Sequence, residues 1–311
     1  MLYNIRYPYD MVETKAKERR AYLAITIDLH QGDKPEDVTA AGQLLAAHGI
    51  KATFFLPTNM LAHASMRSAL KDILKSDHEI GNHGHNHDWA EIDALSNETN
   101  ANLQFLTHSK RLQEDCFAAS PSSFRSPVWC HLSRRAVDEL EILDYKVDSS
   151  ATPQRLPLFS STPYCRTWTF APRRPYWIGE KLLELPLTSL VVPAGSPTFL
   201  TVGKQVSVAI VRLALLESRL LNTIVNLQFH VDDLKKSGHT MRHRPAAALS
   251  GLLLRRRGGL ALKYVIREVD EKKIWETHEA LLSLLPIENC LTVSEIRNRV
   301  VQLSARASGV F

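Results

Sequence analysis

The chain has 311 residues, an apolar fraction of 44% and a formal net charge of +5, which allows one large domain or two smaller ones with a sizeable core. The sequence reading expects no membrane span and finds no apolar signal-peptide core between Met1 and Arg20. The basic clusters carry no interleaved aromatics, which argues against nucleic acid as a partner.

Ala21-Tyr-Leu-Ala-Ile-Thr-Ile27 is a β-branched apolar run that predicts a buried strand, ending at Asp28-Leu-His30. Pro35-Glu-Asp-Val opens a helix through Leu44, Leu45 and Ala47, closed by Gly49. Ile50 to Leu56 predicts a second strand stopped by Pro57, Met66 to Lys75 a helix, and His78 to Gly81 a short strand. Ser96 to Leu112 predicts a long helix with Ser96 as its N-cap. Ser123 to Pro127 predicts a strand and turn, Ser133 to Leu143 a helix capped by Ser133, and Tyr145 to Ser149 the end of another strand.

Residues 151–180 are rich in proline and aromatics and read as a long loop. Strands follow at Leu182–Leu187 and Ile224–Phe229, the second ending at His230, with a helix from Val206 to Leu220 between them. Residues 237–259 are basic and insertion-like. Asp270–Leu285 predicts a helix and Cys290–Val293 a last strand, with Ser294 capping a final helix.

Strand alternates with helix throughout, which predicts an α/β parallel sheet, and seven or eight such units can close into a barrel. With no linker or internal repeat, a single domain is expected over residues 1–311. Its motif-bearing core is 21–235, and the helices and strand of 260–311 complete the barrel. Chemistry in such folds sits at the C-terminal strand ends. Asp28, His30, His83, Arg125, Asp148 and His230 all fall at predicted strand ends.

Glu79-Ile-Gly-Asn-His-Gly-His-Asn-His-Asp-Trp89 concentrates three of the thirteen histidines in five positions. On a helical turn, His83 and His87 would share one face and could hold one metal ion. A pair at that spacing is expected by chance in a histidine-rich chain, so it gains meaning only from the other groups. His85 and Asp88 read as structural, with Asp88 available to accept from a ligand imidazole.

The ordered motifs resemble the polysaccharide deacetylase (NodB-homology, carbohydrate esterase) family. Ile25-Thr-Ile-Asp-Leu-His30 stands where that family has its first acidic motif. Glu79-Ile-Gly-Asn82 precedes the His83–His87 pair, Phe124-Arg-Ser-Pro127 matches an Arg-x-Pro motif, and Asn226-Leu-Gln-Phe-His230 matches a late strand ending in histidine. Ala46-Ala-His-Gly-Ile-Lys-Ala-Thr-Phe-Phe-Leu56 looks like the family's helix, glycine turn and second strand.

The resemblance implies a distorted (β/α) barrel of about seven parallel strands. It also implies removal of an N- or O-acyl group from a sugar with a divalent metal, a carboxylate base and a histidine acid. Such a metal polarises the acyl oxygen and lowers the pKa of water, while side chains move the protons. On this reading Asp28 is the base, His230 the acid and Arg125 the partner that orients the base. Asp148 and Pro127 are expected to meet substrate.

The family's second acid is missing: Leu29 cannot ligate, and His30 takes the spaced position. Asp28 and His30 face the same way on an extended strand. His30, His83 and His87 are therefore expected to ligate a divalent ion, zinc being suited to three imidazoles. Asp28 is the alternative third ligand. Each residue also has an ordinary reading: Asp28 as a turn or cap residue, His230 as a satisfied polar group beside Asp232 and Asp233, and Arg125 as a partner of a surface carboxylate. Trp129, Trp168, Tyr176 and Trp177 are commonly packing residues, although such rings can stack on a sugar.

The expected activity is metal-dependent hydrolysis of an N-acetyl or N-formyl group on a sugar or glycan precursor. A catalytically impaired sugar- or partner-binding relative and a hydrolase of a non-sugar amide are the alternatives. Cys116, Cys130, Cys165 and Cys290 lack a C-x-x-C spacing and read as reduced thiols of a cytoplasmic protein. Basic clusters at Arg173-Arg174, Arg242-His-Arg244 and Arg255-Arg-Arg257 read as solvated surface, or as contacts to an anionic substrate or an acidic membrane surface. One of the stretches 151–180 and 237–259 is expected to cover the substrate mouth.

Overall fold

The computed structural model describes residues 6–8, 21–98, 103–154, 170–190, 192–221, 223–235 and 271–307. Trp168, Cys165 and the stretch 237–259, with its two basic clusters, lie outside the described residues.

Seven strands run parallel along one curled sheet. They are β1 (Tyr22–Asp28), β2 (Thr53–Leu56), β3 (Glu79–Asn82), β4 (Ser123–Phe124), β5 (Val147–Asp148), β7 (Leu183–Glu184) and β10 (Ile224–His230). Their order is β10-β1-β2-β3-β4-β5-β7, and β6 (Tyr176–Trp177) adds antiparallel to β7. The chain after β7 returns to β10: Thr188 N–H donates to Asn226 O at 3.0 Å, and Gly195 bridges Gln228. Between these contacts lies a small hairpin of β8 (Ser189–Leu190) and β9 (Val192–Pro193). The observed architecture is thus the distorted, seven-stranded parallel barrel expected.

The helices are α1 (Pro35–Ala47), α2 (Ala64–Lys75), α3 (Trp89–Ser96), α4 (Gln104–Phe117), α5 (Arg134–Ile142), α6 (Ser196–Leu221), α7 (Glu271–Leu282) and α8 (Val293–Ala307). Alternation on β1 explains the layering. Leu23, Ile25 and Ile27 join the outer core beneath the helices, whereas Ala24 faces inward. β10 repeats the pattern, with Val225, Leu227 and Phe229 outward and Ile224 inward.

The barrel interior is layered. At its floor Ala24, Phe55, Val147, Leu183 and Ile224 pack against Val293, Ile296 and Val300 of α8. Above them lies a polar layer in which Asn226 Nδ2 donates to Ser149 Oγ at 3.0 Å and Arg125 Nη1 donates to Thr26 Oγ1 at 2.9 Å.

Several predicted boundaries change. The helix expected from Ser96 to Leu112 is two helices, because Ser96 ends α3 and α4 begins at Gln104. Ser294 is not a cap: Thr292 Oγ1 accepts from Glu295 N–H, and Glu295 Oε2 accepts from Thr292 N–H. Ser294 instead binds the Glu79 carboxylate, which also holds Thr53 and Ser123 and so ties α8 to the floor. The short strand β11 (Cys290–Leu291) pairs with Leu23 and Ala24 of β1, off the main strand path. The C-terminal part described here therefore plugs the barrel instead of adding a strand to its circumference.

Candidate active site

The C-terminal ends of β1, β3, β4 and β10 bring together Asp28, His30, His83, His87, Arg125 and His230. Asp28 and His230 are register partners on adjacent strands. The His30 ring lies 4.9 Å from His230 and 5.5 Å from His87, centroid to centroid, and His83 lies 4.9 Å from His87.

The histidine segment does not converge as a helical turn. Residues 83–88 precede α3, whose N-cap Asp88 accepts from Glu91 N–H at 3.0 Å. The segment is a loop with Gly84 at φ 81° and His87 at φ 55°. His87 thus occupies a left-handed conformation unusual for a side chain with a Cβ.

Glu91 secures this loop. Its buried carboxylate accepts from Asn86 N–H at 2.7 Å, His87 N–H at 3.0 Å and His85 N–H at 3.2 Å. A Cβ on Gly84 would come within 2.8 Å of Glu91 Oε2, so backbone geometry and close approach both call for glycine there. Glu91 was not among the sequence candidates. Its signal was the Asp88-x-x-Glu91 spacing at a helix start.

The residues of Glu79-Ile-Gly-Asn82 have separate physical roles. Glu79 serves the floor. A Cβ on Gly81 would meet Ser123 Oγ at 2.6 Å and the Phe55 ring at 2.7 Å. Asn82 accepts from Gly84 N–H at 2.8 Å and donates to Ser109 and Gln113 of α4, which shapes the turn into the histidines.

Arg125 is fully buried and donates from Nη1 to Asp28 Oδ1 at 2.7 Å. Its Nε donates to Ser149 O at 2.8 Å and its Nη2 to Ser149 Oγ at 2.8 Å. The guanidinium also stacks 4.3 Å from the Phe55 ring centre. Burial pushes the Asp28 carboxyl upward, but Arg125, His83 and His230 outweigh it and hold the group below its ordinary 3.8. Asp28 is therefore an ionised, rigidly oriented carboxylate.

The imidazoles divide into two kinds. Burial, reinforced by neighbouring rings, lowers His30 to about 3. Burial likewise lowers His83 to about 3, against the pull of Asp28, and it lowers His87. These three are neutral and carry lone pairs at neutral pH. For His230, burial acts downward, but the hydrogen bond and charge of Asp233, with Asp28 and Asp33, raise it above 6.5. Asp233 Oδ2 accepts from His230 N–H at 2.6 Å and lies 3.5 Å from Nδ1. The sequence flagged Asp233 only as a neighbour, and the structure makes it the partner that raises the His230 pKa.

The donor chemistry fits a divalent metal. His83 Nδ1 donates to Arg125 O at 2.8 Å, which fixes the tautomer and leaves Nε2 as the ligating nitrogen. Imidazoles bound at about 2.0–2.1 Å to one ion place their centroids about 5 Å apart, close to the 4.9 and 5.5 Å separations around His87. Among the described residues, however, no three His, Cys, Asp or Glu side chains already enclose a metal position as they stand.

Two expected substrate contacts are corrected. Asp148 lies between Val147, which faces the interior cluster, and Ser149, which binds Arg125. Strand alternation turns its side chain the other way, where it is fully buried, bonded to Ser150 and paired with the buried Glu184. Pro127 is also buried and packs against Gly84 beneath the histidine loop. Its role is support of the loop. Asp88 is a helix cap rather than an acceptor for a ligand ring, and His85 bonds Thr58 Oγ1 at 2.9 Å.

A cavity of about 750 Å³ does not contain these residues. It opens beside Ile224 and Val225, at the opposite end of β10 from His230. Converging titratable groups mark the reaction site more directly than volume does.

Comparison with known proteins places this arrangement. The polysaccharide deacetylase family model matches residues 15–147, which include Asp28, His30, His83, His87 and Arg125. A crystal structure of a Mycobacterium smegmatis protein classed as a polysaccharide deacetylase superposes with a TM-score of 0.54 at 14% identity, over 96% of this chain and 95% of its own. The peptidoglycan deacetylase PdaC of Bacillus subtilis gives 0.45 at 14% identity, over 92% and 95%. No curated protein matches the chain. The resemblance drawn from the motifs is thus the family whose model matches, and the first superposition supports the fold.

Proposed function

We propose that this polysaccharide deacetylase-like chain is a metal-dependent hydrolase that removes an N-acetyl or N-formyl group from a sugar or glycan precursor. The observation that carries the reading is the oriented Arg125–Asp28 pair beside its register partner His230, with the neutral His30 ring 4.9 Å from His230.

His30, His83 and His87 would hold the ion, zinc suiting three imidazoles. A bound divalent ion would polarise the acyl oxygen and make water more acidic. Asp28, kept ionised and immobile by Arg125, takes the proton of the attacking water. His230, its pKa raised by Asp233, gives a proton to the departing sugar nitrogen once protonated. One C–O bond forms and the amide C–N bond breaks: one proton of the water goes to Asp28, the other stays on the new carboxyl group, the amine takes its proton from His230, and passage of the Asp28 proton back to His230 restores both groups.

A cytoplasmic location is part of the proposal. It is supported by the three described cysteines, Cys116, Cys130 and Cys290, being free thiols, and it points to an intracellular glycan precursor.

A second reading is a sugar-binding relative without activity. It draws on the replacement of the family's second acid by His30. Acetate release and free amine, measured on N-acetylglucosamine oligomers with added zinc, separate the two. The enzyme reading expects turnover in the wild type and loss of at least about 100-fold in Asp28→Asn and His230→Ala. Equal rates in wild type and Asp28→Asn would remove it.

A further inference from the structure

The outer face of α6 has no part in this chemistry. Its inner face is settled: Phe199, Val211, Ala214 and Leu215 are buried in the core. Outward, Leu213, Leu216 and Leu220 are 57%, 52% and 58% exposed, with Val206 at 49%. Their seven-, three- and four-residue spacing puts them on one stripe, within about a quarter-turn of the helix. A row of large apolar side chains this open marks a contact surface.

The charges beside the stripe identify the partner. Arg212 and Arg219 follow one flank. On the other flank Glu217 is the acidic residue, and Arg173 Nη2 binds its Oε2 at 2.5 Å. Arg173 and Arg174 line the cavity of about 750 Å³ at the foot of α6, together with Ala214, Glu217 and Leu221. The stripe is thus bordered by Arg212 and Arg219 on one side and, on the other, by the Arg173–Glu217 pair, with Arg174 at the same cavity. A second copy of the chain would bring like charges together across the stripe. An anionic bilayer surface would meet apolar residues with acyl chains and arginines with phosphates.

We propose that α6 docks this protein on anionic membrane surfaces, with Val206, Leu213, Leu216 and Leu220 in the acyl boundary and Arg174, Arg212 and Arg219 on lipid phosphates. By length and composition alone α6 could cross a membrane. Its buried inner face makes it a helix that lies on the surface instead.

The test is flotation of the full chain with phosphatidylcholine vesicles, with and without phosphatidylglycerol. The variants are Leu213→Gln/Leu216→Gln and Arg212→Gln/Arg219→Gln, with melting curves as the check on folding. Wild type should float at least about tenfold more strongly with anionic vesicles, and each double variant should lose about tenfold or more. The electrostatic part should fade at high salt. Wild type that ignores both vesicle types, or partitions equally with and without phosphatidylglycerol, overturns the proposal. So does a concentration-dependent dimer in sedimentation that the leucine variant abolishes while vesicles bind neither protein.

Discussion

Replacing Arg125 by methionine keeps the bulk of the side chain but removes its charge and all its donors. Asp28 loses its 2.7 Å partner, Ser149 O loses its side-chain donor, and Thr26 Oγ1 and Ser149 Oγ each lose one of several bonds. Breaking a buried ion pair by removing one partner costs about 3–5 kcal/mol. Leaving Ser149 O without a donor adds about 1–3 kcal/mol. The sum is a large part of a typical total stability of about 5–15 kcal/mol.

Urea unfolding followed by circular dichroism at neutral pH should show that loss. The double variant Asp28→Asn/Arg125→Met should recover at least about 2 kcal/mol, because no unpaired charge stays buried. The sign with pH follows from the Asp28 carboxyl lying below its ordinary 3.8 in the folded state. Its stabilising contribution is present above 3.8 and lost as the pH falls through the folded value, so the gap between wild type and Arg125→Met should narrow in acid. A loss under about 1 kcal/mol, or a double variant no more stable than the single, would refute the reasoning.

Other consequences are equally concrete. Glu91→Ala should weaken zinc binding about 10–100-fold in equilibrium dialysis, because three backbone donors of the histidine loop lose their acceptor; unchanged affinity would deny Glu91 that role. Asp233→Asn should lower the His230 pKa, since Asp233 holds it up, and should move the basic limb of the kcat/KM profile to lower pH; a stationary limb would mean that His230 is not the acid. Glu184 is buried beside Asp148, and burial followed by the neighbouring carboxylate raises it well above 4.5. Stability from this group is full below 4.5 and is lost as pH rises through the folded value, so Glu184→Gln should gain thermal stability relative to wild type as pH rises; parallel pH curves would contradict the raised Glu184 pKa.

Much of the fold was legible because period-two and period-3.6 patterns are strong in β1, β10, α1 and α2. The strand-end position of Asp28, His83, Arg125 and His230 followed from the same patterns. What sequence could not show was the side of a strand on which a residue near its end would fall. Asp148 sits at a strand end but on the wrong parity, so it is buried with Glu184. Four-residue spacing of His83 and His87 also suits a helical turn, whereas their loop, with positive φ at Gly84 and His87, depends on acceptors supplied by Glu91. The split between α3 and α4 had a signal in Asn97, a weak helix former that stands at the C-cap of α3. The plugging role of α8 was hidden, since it depends on contacts more than 200 positions away, such as that between Glu79 and Ser294.

The most direct test of the site is metal per chain in the purified protein, measured for wild type beside His30→Ala, His83→Ala and Asp28→Ala. The account predicts bound divalent metal in wild type, loss in both histidine variants, and an Asp28→Ala protein that keeps its metal without activity. Metal lost from Asp28→Ala but retained by His30→Ala would make Asp28 the third ligand, and wild type without metal would contradict the account outright.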